Sequence, residues 1–303
     1  MGIHDVKTMN AIRQAMDKVD PRILLYGEGW DMGTGLRPED KAKKDNAYQL
    51  PRIGFFNDTE RDAVKGAEVY GGIKAGFVSG QATEDIVAKS ILGSSELGSY
   101  LSPDQVLNYV EAHDNFNLHD LLAELHPDDD ILTRTKRIEL ATAMNLLMQG
   151  MVFMEVGQEF SRTKLVATGE DGQVLHSDRE KAMNSYNAPD AVNQVNWDIL
   201  QDHQESIDFI KDIIRLKTSC KAFSYQTYED IYKHVFVQSA EQGSGLIIFE
   251  IKDDKHYQVI FNASGLPYYL PNADKLRLIV GNSRHKKPFY VENLTVSVFE
   301  VIQ

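Results

Sequence analysis

The feature that most constrains this chain is a repeated alternation of short apolar runs, each ending in polar residues, with stretches of helical spacing. Ile23–Tyr26, Arg52–Phe56, Val106–Glu111 and Met151–Val156 read as four strands, the first of them buried. Asp5 to Val19 carries apolar residues at Val6, Met9, Ile12, Ala15, Met16 and Val19, which is helical spacing, with Asp5 as its cap. Glu60–Lys65 reads as a short helix, Thr133–Gln149 as a strongly apolar one, and Gln204–Thr218 as an amphipathic one. Strands alternating with helices predict a parallel β/α architecture whose chemistry lies at the C-terminal ends of the strands. The long, glycine-containing stretch from Gly71 to Ser102 is too long for a simple connection and is expected to be an active-site lid or subdomain.

From about Ala222 the pattern changes. Val235–Val237, Leu246–Ile251, Tyr257–Phe261, Leu276–Val280 and Leu294–Val301 are short runs separated by turn residues, with clear alternation from Thr295 to Val301. They predict a small all-β domain, an antiparallel sandwich. The expected division is therefore 1–221 and 222–303, and a 303-residue chain that is 42% hydrophobic can bury both cores.

A net charge of −13 argues against a nucleic-acid partner, and the basic run Arg284-His285-Lys286-Lys287 reads as a solvated turn. Cys220 is the sole cysteine, which excludes an internal disulfide and a thiolate metal cluster. No stretch reaches membrane-spanning length, so no membrane partner is expected. The lack of a leader pattern favours the cytoplasm weakly, because the start of the chain itself looks abnormal.

The strand ends supply the candidates for chemistry: Glu28, Asn57 with Asp58, His113 with Asp114, and Glu159. Glu28 stands between Gly27 and Gly29 and next to Trp30. Glycines let the chain turn and let a ligand approach, and an indole offers a face for a sugar ring. A carboxyl at the end of a buried strand beside a large aromatic is suited to stay protonated, as a general acid for glycoside cleavage must. The competing reading is a Glu that caps a helix or pairs with an arginine. Asp114 would be a second carboxylate facing Glu28, with His113 donating to a sugar hydroxyl; the alternative for His113 is a satisfied structural histidine. Gly33-Thr34-Gly35 lacks the context of a dinucleotide fingerprint, and His113 and His119 are wrongly spaced for a helical zinc pair. No metal is assigned. Asp128-Asp129-Asp130 reads as a solvated turn, with a cation site as its alternative.

These residues together resemble a known family. Tyr26-Gly27-Glu28-Gly29-Trp30 is similar to the acid/base motif of the type I pullulanases, in the α-amylase superfamily. Tyr109 to Asn115 (Y-V-E-A-H-D-N) is similar to the later motif that carries a transition-state-stabilising aspartate. Leu50 to Asp58, Gly157 to Phe160 with Arg162-Thr163-Lys164, Asn184-Ser185-Tyr186, and Val192-Asn193-Gln194 with Asn196-Trp197 match as well, although the family more often has Asp where Asn196 stands. The resemblance covers essentially the whole chain. It implies the second half of a (β/α)8 barrel followed by a C-terminal β-sandwich, and hydrolysis of α-1,6 branch linkages in pullulan and related α-glucans. Glu28 and Asp114 would be the catalytic residues, with Trp30, His113, Asn115, Asn184 and Tyr186 binding substrate. No cofactor is required; calcium is left open.

Met1 to Asp5 resembles the tail of the motif in which the family carries its nucleophilic aspartate, so that aspartate would lie upstream of Met1. Retaining glycosidases need two carboxylates flanking the bond, and Asp114 by resemblance holds hydroxyls instead of attacking carbon. Two expectations follow. One is the C-terminal part of a pullulanase, inactive until it meets the missing N-terminal half, and prone to self-association through exposed strand edges. The other is a non-catalytic α-glucan-binding or structural fragment.

Overall fold

The structure, a computed structural model, describes residues 2–69, 72–283 and 289–302. It opens with α1 (Val6–Val19), whose N-cap Asp5 accepts the Thr8 amide at 2.8 Å. There follow β1 (Tyr26–Gly27), β2 (Gly54–Phe56), α2 (Asp58–Val64), β3 (Gly66–Val69), β4 (Gly72–Ala75), α3 (Glu84–Ile91), β5 (Val106–Asn108), α4 (Leu118–Leu125), α5 (Ile131–Leu147) and β6 (Met151–Val152). Strands β1, β2, β5 and β6 pair in parallel in that order, and among the described residues no pairing joins β1 to β6.

All four strands are shorter than their apolar runs; next to β1, β5 and β6 side chains take backbone groups that a ladder would use, and β2 is shortened by the turn at Arg52. The buried Glu60 carboxylate accepts the Tyr109 amide at 3.2 Å just beyond β5, and Asn145 Nδ2 donates to the Phe153 carbonyl at 3.1 Å just beyond β6. The expectation of a buried strand over Ile23–Tyr26 is corrected. Only Tyr26 and Gly27 pair, on an edge with β2 as their one described neighbour, and Leu24 and Tyr26 are 67% and 45% exposed. The Ile23 carbonyl instead accepts from buried Arg13 at 2.7 Å. Arg52 begins no strand; it sits at φ 61° in the turn before β2.

The lid expectation is also corrected for residues 72–102; Gly71 lies outside the described residues. β4 forms an antiparallel hairpin with β3, and α3 packs beside α2. Glu84 at the start of α3 accepts the Gly243 and Gly245 amides at 3.1 and 2.8 Å, which ties this segment to the C-terminal strands. None of it lines the cavity described below.

The remainder comprises α6 (His176–Met183), α7 (Asp190–Asn193), α8 (Gln204–Ser219), α9 (Tyr228–His234), β7 (Val235–Ser239), β8 (Leu246–Lys252), β9 (His256–Asn262), β10 (Tyr268–Tyr269), β11 (Leu276–Gly281), β12 (Tyr290–Val291) and β13 (Thr295–Val301). Five of these strands form an antiparallel sheet in the order β11-β13-β9-β8-β7, and β10 and β12 form a second, two-stranded layer. Successive side chains of a strand face opposite ways, and both faces here are apolar. Ile247, Phe249, Ile251, Val259, Phe261, Val296 and Val298 join one core with α5 and α8. Ile248, Ile260 and Phe299 face the other way, onto Leu270 and Val291 of the second layer. The sandwich is therefore seated on the helices, and its core is continuous with theirs. The basic run Arg284–Lys287 lies outside the described residues.

Candidate active site

The C-terminal ends of the parallel strands open into a cavity of about 520 Å³. Phe56, the last residue of β2, is its aromatic centre, with edge-to-face contacts to Tyr26, Tyr109 and Phe153 at centroid distances of 5.9, 5.0 and 5.4 Å. Arg61 donates to the Tyr109 hydroxyl at 2.7 Å, and burial pushes that phenol up to about 12. Trp30 stands on the wall with the Lys44 ammonium 4.2 Å from its ring centroid. Lys44 is pulled down to about 8, first by burial and then by Arg61, and it pairs with Asp58. Asp58 is thereby engaged outside the cavity. Its neighbour Asn57 is buried, donates to Ser94 Oγ and Asn108 Oδ1 at 2.9 Å each, and caps α2. Glu159 is turned onto the Gly157 amide at 3.2 Å. None of these three strand-end candidates lines the cavity.

Glu28, His113 and Asp114 do line it, and one donor or acceptor atom from each lies within 4.8 Å of the others. His113 Nδ1 is 3.5 Å from Asp114 Oδ1. Asn115 and Asn184 complete this wall; Asn115 holds a left-handed φ of 66°, and Asn184 bridges to Asp114 through the backbone. Tyr186 is 66% exposed and does not line the cavity. Glu28 is solvent-exposed, in place of the buried carboxyl expected from the sequence, because β1 is a two-residue edge strand. Three exposed groups at such spacing can hold a cation, but acidic clefts meet it commonly, and no metal is assigned.

No family model matches the chain. A pullulanase of Bacillus subtilis (strain 168) is 34% identical over an alignment of 293 positions that covers 92% of this chain and 38% of that protein. The solved pullulanase of Anoxybacillus sp. LM18-11 complexed with maltotetraose superposes with a TM-score of 0.86 at 33% identity, over 99% of this chain and 43% of that one. This chain is homologous to part of the type I pullulanases. A pullulanase of Paenibacillus barengoltzii, in complex with maltohexaose and alpha-cyclodextrin, gives 0.84 and 33% over 100% of this chain and 47% of that one. The chain thus spans less than half the length of these pullulanases.

What sequence reading missed is the layer beneath the pullulanase-like motifs. Arg162-Thr163-Lys164 and Asn184-Ser185-Tyr186 entered only as motif matches, yet they hold the His113 loop. Ser185 Oγ and Lys164 Nζ both donate to the His113 carbonyl at 3.0 Å. Arg162 donates to the Asn193 carbonyl at 2.7 Å, and Asn193 Nδ2 donates to the Ser185 carbonyl at 2.6 Å. Below them lie buried charges that were not singled out: Glu60, Lys65, Glu68, Glu111 and Asp120. Lys65 donates to the Phe116 carbonyl at 2.6 Å, and Glu68 accepts the Phe116 amide at 2.9 Å. Burial pushes Glu60 and Glu111 up and Lys65 down. The available signal was Glu111 inside an otherwise apolar strand end; nothing local marked the others.

Proposed function

We propose that this chain supplies the acid/base and sugar-binding part of a glycoside hydrolase that cleaves α-1,6-glucosidic branch linkages in pullulan and related α-glucans. The observation that carries the reading is the convergence of Glu28, His113 and Asp114 in one aromatic-walled cavity. Glu28 protonates the leaving glycosidic oxygen and then, in a retaining reaction, takes the proton from the attacking water. Asp114, His113 and Asn115 hold sugar hydroxyls as charge develops at the anomeric carbon, Trp30 stacks on a ring, and Asn184 and Tyr186 extend the binding surface. The relatives solved with maltooligosaccharides support the substrate class. Residues 1–221 belong to a (β/α)8 barrel and 222–303 to its β-sandwich.

Glu28 and Asp114 are the carboxylates among the cavity's lining residues. With Asp114 occupied by hydroxyls, the covalent step draws its nucleophile from elsewhere, and the chain alone is inactive. The open cavity and exposed carboxylates also suit a second reading, that of a non-catalytic α-glucan-binding fragment. The test is pullulan hydrolysis by the chain alone and after addition of a separately expressed N-terminal half of a pullulanase. Turnover only in the mixture supports the proposal. Turnover by the chain alone overturns the assignment of the nucleophile, and maltotriose binding without turnover in either case favours the second reading.

A further inference from the structure

We infer that Lys164 is a positioning residue for the sugar-binding loop, an ammonium that holds the carbonyls of the two residues on either side of Asp114. This rests on the reading of the cavity as the glucan site. Lys164 is fully buried, and its Nζ donates to the His113 carbonyl at 3.0 Å and the Asn115 carbonyl at 2.6 Å. Those carbonyls belong to the residues on either side of Asp114, so one cation, with Ser185 Oγ sharing the His113 carbonyl, holds the backbone from which the cavity-facing side chains of His113, Asp114 and Asn115 project.

The side chains themselves cannot do this, since those of His113 and Asp114 are 59% and 50% exposed. Asn115 adds a reason: a non-glycine residue at φ 66° costs energy unless its surroundings hold it there. Lys164 is in turn immobilised. Its amide donates to Asp120 Oδ2 at 2.8 Å, and the neighbouring Thr163 hydroxyl donates to the other oxygen of the same buried carboxylate. Burial pulls the ammonium down, while the carboxylates Glu155, Glu111 and Asp120 act in the opposite direction. A buried cation held by two carbonyls has no solvent to retreat to, and removing it takes the donor from the Asn115 carbonyl and leaves the His113 carbonyl to Ser185 Oγ alone.

The test compares Lys164→Met, which removes the donor, with Lys164→Gln, whose amide still reaches for one carbonyl. The first readout is the set of ring C–H NMR resonances of the nine histidines, with His113 assigned by its loss in His113→Gln. The second is maltotriose affinity by calorimetry. Lys164→Met should shift and broaden the His113 signal while the distant histidines stay unmoved, and weaken maltotriose roughly ten- to a hundredfold, as the loss of one or two charge-assisted hydrogen bonds to sugar hydroxyls does. Lys164→Gln should recover part of both. An unmoved His113 signal with unchanged affinity in both variants overturns the inference. Should Lys164→Met fail to fold, Lys164→Gln decides alone by the same two readouts. If the wild-type chain binds no maltotriose yet the His113 signal moves, the glucan reading fails and the positioning role stands.

Discussion

Replacing Glu111 by Gln asks whether the carboxyl behind the His113 loop is carried as a neutral acid. Glu111 is 1% exposed; its Oε2 accepts the amide of Leu118, the first residue of α4, at 2.8 Å, and its Oε1 has no hydrogen-bond partner among the described residues. Burial pushes it up to about 8 from an ordinary 4.5, with the Leu118 amide pulling the other way. Between those two values the folded chain keeps a proton that the unfolded chain has lost. Stability therefore falls as pH rises through that window, by about 1.4 kcal/mol per pH unit. The loss reaches about 3 kcal/mol at pH 7 and roughly 5 kcal/mol above pH 8.

Gln keeps the acceptor for Leu118 and cannot ionise, so the variant lacks this fall. The neighbouring Lys65 and Lys164, pulled down by burial, contribute the opposite slope, because the unfolded chain then binds the extra protons. They are present in both proteins, and because Glu111 acts on both, the difference between the two reports Glu111 together with its coupling to these lysines. Thermal unfolding followed by circular dichroism from pH 5 to 9 reads it. The two proteins should lie close at pH 5, and the variant should melt roughly 10 °C higher at pH 9, at about 2 °C per kcal/mol for a chain of this size. Parallel profiles across the range would refute the reasoning, since Glu111 would then be charged throughout and its pairing with the lysines would outweigh burial.

In an enzyme completed with a pullulanase N-terminal half, Glu28→Gln should abolish nearly all pullulan turnover and leave maltotriose affinity intact, because only the proton donor is lost; near-normal turnover sinks the assignment. His113→Ala should raise KM and lower kcat together in the same assay, and a crystal structure with the ring turned away from Glu28 would contradict it. Lys217, brought down to about 7 by burial, donates to the Met148 and Phe223 carbonyls at 2.6 and 2.7 Å. Lys217→Met strands both acceptors, at about 2–4 kcal/mol, and regains about 2 kcal/mol at pH 9, where folding must deprotonate the wild-type amine; urea titrations should therefore find a net loss of about 1 kcal/mol, and a variant more stable than wild type would show that these bonds carry no stability. Light scattering at micromolar concentration should find the isolated chain self-associated through its exposed strand edge, and a clean monomer would count against that.

The helices α1, α2, α5 and α8 were legible because their signals are local, whereas α3, α4, α6, α7 and α9 were not read from the sequence. Asp5 and an apolar spacing of three and four specify an end or a face without help from distant residues, and α1, α5 and α8 lie where the pattern puts them, although Asp130, read as part of a solvated turn, proves to be the N-cap of α5. The five strands of the large antiparallel sheet were legible too, since alternation in Thr295–Val301 needs only the sheet itself, but the β3–β4 and β10–β12 pairs were not. The parallel strands were located and overextended, because an apolar run does not reveal that Glu60 or Asn145 will take the next backbone group from the ladder. At the site, Glu28, His113 and Asp114 stood out by type and strand-end position. Lys164 and Glu111 act through partners 49 to 51 and 7 residues away in the chain, respectively, and spacing alone carried no sign of their burial.

Glu28 poses the physical problem that connects the fold to the chemistry. A proton donor for glycoside cleavage works best away from water, yet its carboxyl is exposed beside an edge strand whose Leu24 and Tyr26 are also exposed. On the proposed function, something must cover this region during catalysis. A glucan seated in the cavity would shield Glu28 and Trp30, but Leu24 and Tyr26 are not among the cavity's lining residues and would stay wet. A polypeptide segment paired along the free side of β1 would bury those apolar side chains and, in the same step, withdraw the carboxyl next to them from solvent. The glucan alone accounts for one of the two exposures. A protein cover accounts for both, so that, on the proposed function, the exposed proton donor and the exposed strand edge have a single cause.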